Sequence, residues 1–486
     1  MYRFQSLRLA LVSLCLGGLA STAGAEELSG FQAAVAMEEA MVQAIAGAEQ
    51  SVVAIARVRR DDDEPLDFSV NQFGRLQLPA RPSPSSPEHI PNEFATGVVV
   101  GSDGLILTAQ HVLQRDCEYW VTLPDRSIRK ARIKAADPRS DLAVLQIDAT
   151  DLKPITFGDA TKLKKGQIVI ALGNPYAIAR DGQASASWGI VSNLMRKDGP
   201  VPDASRVDSK PALHQSGTLI QTDAKLNLGT SGGALLNLQG EMVGLTVSLA
   251  AAAGYEQSAG FAIPVDETFQ HALERLKQGR EVNYGFLGVG VQGIAANDQG
   301  RRGVVIMSVA AGTPARRSGL MDGDVITHVN GDEIFDQDRF MLAVGKLPAE
   351  SSAILRIERA GRPLVIVVDE LAKYCVKGYK VVTTPEPAWR GMRVDHVTAS
   401  PDFGDLITHG RIDTQGSVWV TEVEEGSPAW QQGLRPGMMI SHVAGNRVAT
   451  PGQFFDQVSG KQGPVKLKLH AQAGEEPDRV IAPEAS

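Results

Sequence analysis

Short apolar runs separated by Gly, Asp, Pro and Asn dominate the chain between Thr96 and Ile263. Thr96 to Val100, Leu105 to Thr108, Tyr119 to Leu123, Leu142 to Ile147, Gln167 to Leu172 and Glu241 to Ser248 are rich in Val, Ile and Leu and read as strands. No long helical pattern alternates with them, so an all-β barrel or sandwich is predicted rather than an α/β sheet. Ser51 to Val58 reads as a further strand, and Val265 to Lys277, with Phe269, Ala272, Leu273 and Leu276 on one face, as a helix closing the domain before Gln278-Gly279. The Ala-rich stretch from Phe31 to Glu49 predicts a short amphipathic helix. Between residues 59 and 94 the acidic run Asp61 to Glu64 and Pro79, Pro82, Pro84, Pro87 and Pro91 break all periodicity, which predicts a long surface loop.

The remainder repeats itself. Gly312-Thr313-Pro314-Ala315, Gly319-Leu320, Gly323 and Val325-Ile326 return as Gly426-Ser427-Pro428-Ala429, Gly433-Leu434, Gly437 and Met439-Ile440, at an offset of 114. Upstream, Gly288 and Gly391 are offset by 103, so the second copy carries an 11-residue insertion, placed within Ser400 to Asp413. Two copies are too few for a solenoid and predict tandem modules. The expected boundaries are a first module at 283–371, a linker at 372–388, a second module at 389–472 and a flexible tail at 473–486.

At 486 residues the chain is expected to hold about three domains. Its 43% hydrophobic and 21% charged residues exclude collagen-like, coiled-coil and wholly disordered classes. A net charge of −8 gives no footprint for nucleic acid. Arg3 and Arg8, the apolar run Leu9 to Leu19, and Ala23-Gly24-Ala25 have the pattern of a secretory signal peptide over 1–25. That run is shorter than the roughly 20 residues a bilayer span needs, so cleavage is expected, leaving a soluble chain from Glu26 with a net charge of −10 and no integral membrane segment. Only Cys117 and Cys375 remain in the mature part, in different expected domains, and are read as isolated small hydrophobes. No paired-Cys or HExxH spacing occurs, so neither metal nor cofactor is expected.

The most informative segment is Gly229-Thr230-Ser231-Gly232-Gly233. Glycines flanking a serine let the backbone turn sharply and bring amide N–H groups beside the hydroxyl, where they can hold a developing oxyanion. Alone it is equally a glycine-rich turn. A serine needs a base, and the base an orienting carboxylate. His111 follows the apolar strand Leu105-Ile106-Leu107-Thr108-Ala109, and Asp141 stands at the mouth of Leu142-Ala143-Val144-Leu145. A carboxylate entering a buried strand needs a partner, and an imidazole N–H serves. The order His, Asp, Ser within an all-β pattern fits the chymotrypsin-like class and not the α/β-hydrolases.

Thr96-Gly97-Val98-Val99-Val100, Leu107-Thr108-Ala109-Gln110-His111-Val112, Ser140-Asp141-Leu142-Ala143-Val144-Leu145, Gly173-Asn174-Pro175, Gly189-Ile190-Val191-Ser192, Gln221-Thr222-Asp223-Ala224 and Gly229 through Leu235 together resemble the bacterial HtrA (Deg) serine proteases. The resemblance spans nearly all of the mature chain. It implies a mainly β fold: a chymotrypsin-like double β-barrel at 51–280, after an N-terminal helical segment at 26–50, followed by two PDZ-like α+β modules. It further implies a periplasmic or secreted endopeptidase for unfolded or misfolded polypeptides, acting in quality control and stress response and assembled as a trimer or a multiple of it. Carried over, Ser231 is the nucleophile, His111 the general acid/base, Asp141 the group that fixes the imidazole tautomer, and Gly229 and Ser231 the oxyanion-hole amides.

Three departures qualify the likeness. Thr230 stands where the family has Asn, Lys225 lies near the floor of the specificity pocket, and the Pro-rich excursion occupies the place of a variable regulatory loop. Leu226 keeps the apolar character of that pocket, with Thr246 and Val247 as further substrate-binding candidates. Lys225 either snorkels to solvent or points inward and selects acidic side chains. Phe286-Leu287-Gly288-Val289 resembles the PDZ loop that receives C-terminal peptides by strand addition. The second module, with Gly437-Met438-Met439-Ile440, reads as readily as a packing element. A weak or inactive chaperone-like scaffold and a site-specific regulatory protease are the alternatives.

Overall fold

The computed structural model describes residues 30–59, 69–70, 76–77, 93–174, 182–197, 212–247, 260–294, 302–470 and 477–484. The segment expected to be a signal peptide, 1–25, and most of the Pro-rich stretch lie outside these. The predicted strands appear where the Val/Ile/Leu runs stand. β1 (Val52–Arg59) is followed by the two-residue strands β2 (Ser69–Val70) and β3 (Leu76–Gln77), which pair with each other. Then come β4 (Glu93–Gly101), β5 (Leu105–Ala109), β6 (Cys117–Thr122), β7 (Ile128–Asp137) and β8 (Leu142–Ile147). They run β7-β6-β1-β4-β5-β8, and β8 also pairs with β7, which closes a six-stranded barrel. Ile55, Ile106, Leu107, Leu142, Leu145 and Ile147 fill it and are fully buried.

A second closed barrel joins β9 (Ile168–Gly173), β10 (Ser185–Arg196), β11 (Leu219–Thr222), β12 (Ala234–Leu236), β13 (Met242–Val247) and β14 (Gly260–Pro264). Across the two barrels, β7, β10, β11, β12 and β14 escaped the hydrophobic pattern. β7 and β10 mix charged and polar residues with apolar ones, and β12 has only three residues. Such strands are fixed by pairing with neighbours rather than by their own composition. The closing helix Glu267–Lys277 forms as predicted, with the Asp266 carboxylate accepting the Phe269 N–H at 2.9 Å as N-cap and Phe269, Ala272, Leu273 and Leu276 buried against the first barrel. The N-terminal helix runs Gly30–Ala48 and buries Ala44 and Ala48.

Two α+β units follow with the same strand order. The first has Val289–Gly293, Val304–Val309, Val325–Val329, Ala353–Arg359 and Arg362–Val368; the second has Met392–His396, Val418–Val423, Met439–Val443, Val465–Leu469 and Asp478–Ile481. The repeat is thus structural. The 11-residue insertion includes the helix Phe403–Thr408, which packs beside a small apolar cluster of Val397, Ile412 and Met439. The expectation of a flexible tail is corrected: Asp478–Ile481 is an edge strand in register with Val465–Leu469, and Ile481 is fully buried. Only Val480 and Ile481 carry a β signal there, too short to stand out among charged residues and prolines.

The stretch expected as a linker is tied down at several points. Ala372–Lys373 pairs with Gly285–Phe286, and Val381–Val382 adds to β7 at Ala136 and Ala135. The buried Lys373 ammonium donates to Glu281 (2.9 Å) and Asp395 (2.6 Å); burial alone would lower its pKa, but the two carboxylates raise it well above the ordinary lysine range. Nearby, the fully buried Asp137 carboxylate accepts bonds from the Ser140 amide (2.8 Å), the Ser140 hydroxyl (2.6 Å) and the Tyr284 hydroxyl. The Arg139 guanidinium lies over the rings of Tyr284 and Tyr374, 5.2 and 3.8 Å from their centroids. Both ends of the first α+β unit therefore clamp the turn that leads into Asp141. Tyr284→Phe, which strips one donor from a buried carboxylate, is expected to cost about 1–3 kcal/mol, read from denaturant unfolding.

Candidate active site

His111 lies in the short 3-10 turn Gln110–Val112 that ends β5, and Asp141 precedes β8, which pairs with β5. The pairing brings the two side chains together. Asp141 has φ +59, a left-handed conformation that aspartate tolerates better than most residues. There its backbone carbonyl accepts the Gln110 N–H (2.9 Å), its Oδ1 the His111 N–H (2.9 Å), and its Oδ2 lies 2.8 Å from His111 Nδ1. This clasp fixes the imidazole with Nδ1 toward the carboxylate and leaves Nε2 as the proton acceptor. The His111 side chain is 30% exposed and that of Asp141 only 6%, so the pair presents imidazole to the surface and hides the charge. Burial alone would raise the Asp141 carboxyl; the charges of His111 and His214 and the bonds from His111 outweigh it and hold the group below the ordinary carboxylate range.

Ser231 comes from the second barrel. Its turn is held against the first by Thr96 on β4: Thr96 N–H donates to the Ser231 carbonyl (2.9 Å), and Thr96 Oγ1 donates to the Gly229 carbonyl (2.7 Å) and accepts the Asn174 N–H (2.8 Å). Gly232 has φ +85, and a Cβ there would stand 2.2 Å from the Thr96 carbonyl oxygen and 2.3 Å from Thr108 Oγ1. No other residue fits, and the close approach places the turn beside Thr108 and Ala109, at the strand end that carries His111. Gly229, at φ +93, takes a conformation open to glycine. Ser231 is 9% exposed. Thr96 is a positioning residue that the sequence did not single out. Its signals were its place at the head of a Val-rich strand and in the first segment of the family resemblance, neither of which gave it a role.

The remaining candidates are distributed unequally. Thr246 and Val247 are buried; Thr246 Oγ1 donates to the Thr230 carbonyl (2.6 Å) and accepts the Gly233 N–H (3.0 Å), so that hydroxyl braces the serine turn from within. Leu226 is buried in the second barrel's core beneath Gly260, where a Cβ would press on it at 2.7 Å, and Lys225 is exposed. The solvent-facing alternative for Lys225 is the one the fold adopts.

In the first α+β unit, the Leu287 and Gly288 carbonyls accept the Ala315 and Ala310 N–H groups (both 2.9 Å), which turns the loop's carbonyls inward. Leu287 is in the core, Val289 opens the next strand, and the Phe286 ring packs edge-on against Phe403 of the second unit at 6.0 Å. The second unit repeats the two bonds, from Ala429 to Arg390 and from Glu424 to Gly391. Arg390 replaces the apolar residue and donates to the carbonyls of Ile481, Lys461 and Gly463. Cys117 and Cys375 are both free thiols. Among the described residues no cluster of His, Cys, Asp or Glu has the make-up of a metal site, and no helix is long and apolar enough to cross a membrane.

The trypsin-like peptidase domain family matches residues 95–245 and the PDZ domain family residues 285–369. A probable periplasmic serine endoprotease DegP-like of Pseudomonas putida is 31% identical over 417 residues, covering 83% of this chain and 82% of that one. A protein of the same description from Chlamydia trachomatis is 29% identical, with 87% and 82% covered. Among solved structures, an HtrA-type protease, AlgW, with a decapeptide is similar at a TM-score of 0.50 and 26% identity, over 71% of this chain and 99% of that one. With the paired barrels and the PDZ units that follow them, these likenesses place the chain in the family of DegP-like periplasmic serine endoproteases.

Proposed function

We propose that Ser231, His111 and Asp141 are the catalytic triad of this endopeptidase. The observation that carries the reading is the double clasp of Asp141 on His111, on a strand end that abuts the glycine turn of Ser231. His111 Nε2 takes the Ser231 hydroxyl proton as Oγ bonds to the scissile carbonyl carbon, and the amides of Gly229 and Ser231 receive the oxyanion. The imidazolium then protonates the departing amine. Water, deprotonated by the same imidazole, hydrolyses the acyl-enzyme and restores the hydroxyl.

The substrates are extended segments of unfolded or misfolded polypeptides. The exposed Leu228 beside the glycine turn, with Trp188 and Ile190 on β10, offers apolar contact to such a chain. The loop from Phe286 to Val289 receives peptide C-termini, and the division into a protease domain and two PDZ modules follows the repeat. The protein acts in the periplasm after loss of residues 1–25, as a homo-oligomer built on trimers. A serine-reactive phosphonate tests the triad: the chain from Glu26 is labelled at Ser231 and digests reduced casein, whereas absence of both overturns the reading.

A further inference from the structure

We infer that His214 is a positioning residue for the hydrolysis, a second imidazole behind the Asp141 carboxylate that sets, through it, the proton affinity of His111. The inference rests on the triad proposed above. His214 lies in the 3-10 turn Leu213–Ser216, is 6% exposed, and is far in sequence from both His111 and Asp141. Three features bring it to the triad. The Leu213 N–H donates to the Arg139 carbonyl (2.9 Å), which docks the turn onto the residues that lead into Asp141. His214 shares a cavity of about 30 Å³ with Ser140 and Leu142, the two neighbours of Asp141, which is room for an ordered water. Its proximity is also felt electrostatically, since it joins His111 in holding the Asp141 carboxyl down.

The turn is backed by the helix Gln337–Gly345 of the first PDZ unit: a Cβ on Gly345 would stand 3.3 Å from Leu213 and 2.6 Å from the Arg139 guanidinium. Among the described residues, the charged groups around His214 are these. Lys346, which follows that helix, and Asp266, from the closing helix, line the same cavity but pair with each other at 2.7 Å. Arg139 is engaged with the rings of Tyr284 and Tyr374, and Asp137 with Ser140 and Tyr284. Asp141 is the carboxylate whose charge His214 helps to hold. An imidazole placed beside the carboxylate shares its field with His111 and lowers that ring's affinity for a proton. The wild type thereby keeps His111 in its basic form to a lower pH than a chain without His214.

The test is the pH dependence of phosphonate labelling at Ser231 for the wild type, His214→Gln and His214→Phe. The acid limb is expected to move up by about half a pH unit or more in both variants. At its plateau, labelling falls several-fold in His214→Phe and less in His214→Gln, whose amide keeps a polar contact. Superimposable profiles overturn the inference, as does a uniform loss at every pH with an unmoved acid limb. Should the bulkier phenylalanine prevent folding, His214→Gln alone decides through its acid limb. A wild type that is not labelled at Ser231 at any pH overturns the triad instead, which separates the two failures.

Discussion

Ser231→Ala is expected to lower casein turnover by about 10⁶-fold while leaving the unfolding midpoint unchanged. The hydroxyl is the only group removed. The turn's position depends on bonds to its backbone that alanine keeps: Thr96 N–H to the residue 231 carbonyl, Thr96 Oγ1 to the Gly229 carbonyl, and Gly233 N–H to the Thr230 carbonyl. Binding of unfolded chains should therefore persist, and the variant should hold substrate without cutting it. Residual turnover above the uncatalysed rate would come from the oxyanion donors alone. Activity near that of the wild type would remove Ser231 from the mechanism.

Asp141→Asn is expected to cost about 10⁴ in kcat near neutral pH with little change in KM. Asn keeps an oxygen for the His111 N–H, so the backbone clasp survives. Its amide now faces His111 Nδ1, however, and can only donate, which forces the imidazole proton onto Nε2 where the serine proton should go. The same exchange has a thermodynamic signature. Because the Asp141 carboxyl is held below its ordinary value, its pairing stabilises the fold fully above the unfolded pKa, near pH ~4, and the contribution fades as pH falls through the lowered folded value. In Asp141→Asn that acid-side dependence should be absent from urea unfolding measured between pH 2 and 5. A variant as active as the wild type, with the same acid-side slope, would contradict the assigned role.

The predicted strands, the closing helix, the tandem repeat and the residues of the His-Asp clasp were all legible in the sequence, because each rests on short-range information. Apolar runs bounded by Gly and Pro specify buried strands, a 3.6-residue stripe specifies the helix at Glu267–Lys277, and a glycine-flanked serine advertises its own turn. The sequence also pointed to the insertion near Ser400 to Asp413, since a repeat offset changes only where residues are added.

Tertiary structure decided what depends on partners distant in the chain. Strands such as β7 and β10 carry too many polar residues to announce themselves and are set by their neighbours in the barrels. The 372–388 stretch reads as a connector because its contacts, a buried Lys373 between two carboxylates and a strand pair on β7, lie far off in sequence. Thr96 and His214 look ordinary as letters. One clasps the serine turn across the two barrels and the other lines a cavity with both chain neighbours of Asp141, because burial and barrel packing bring groups together that no local pattern relates.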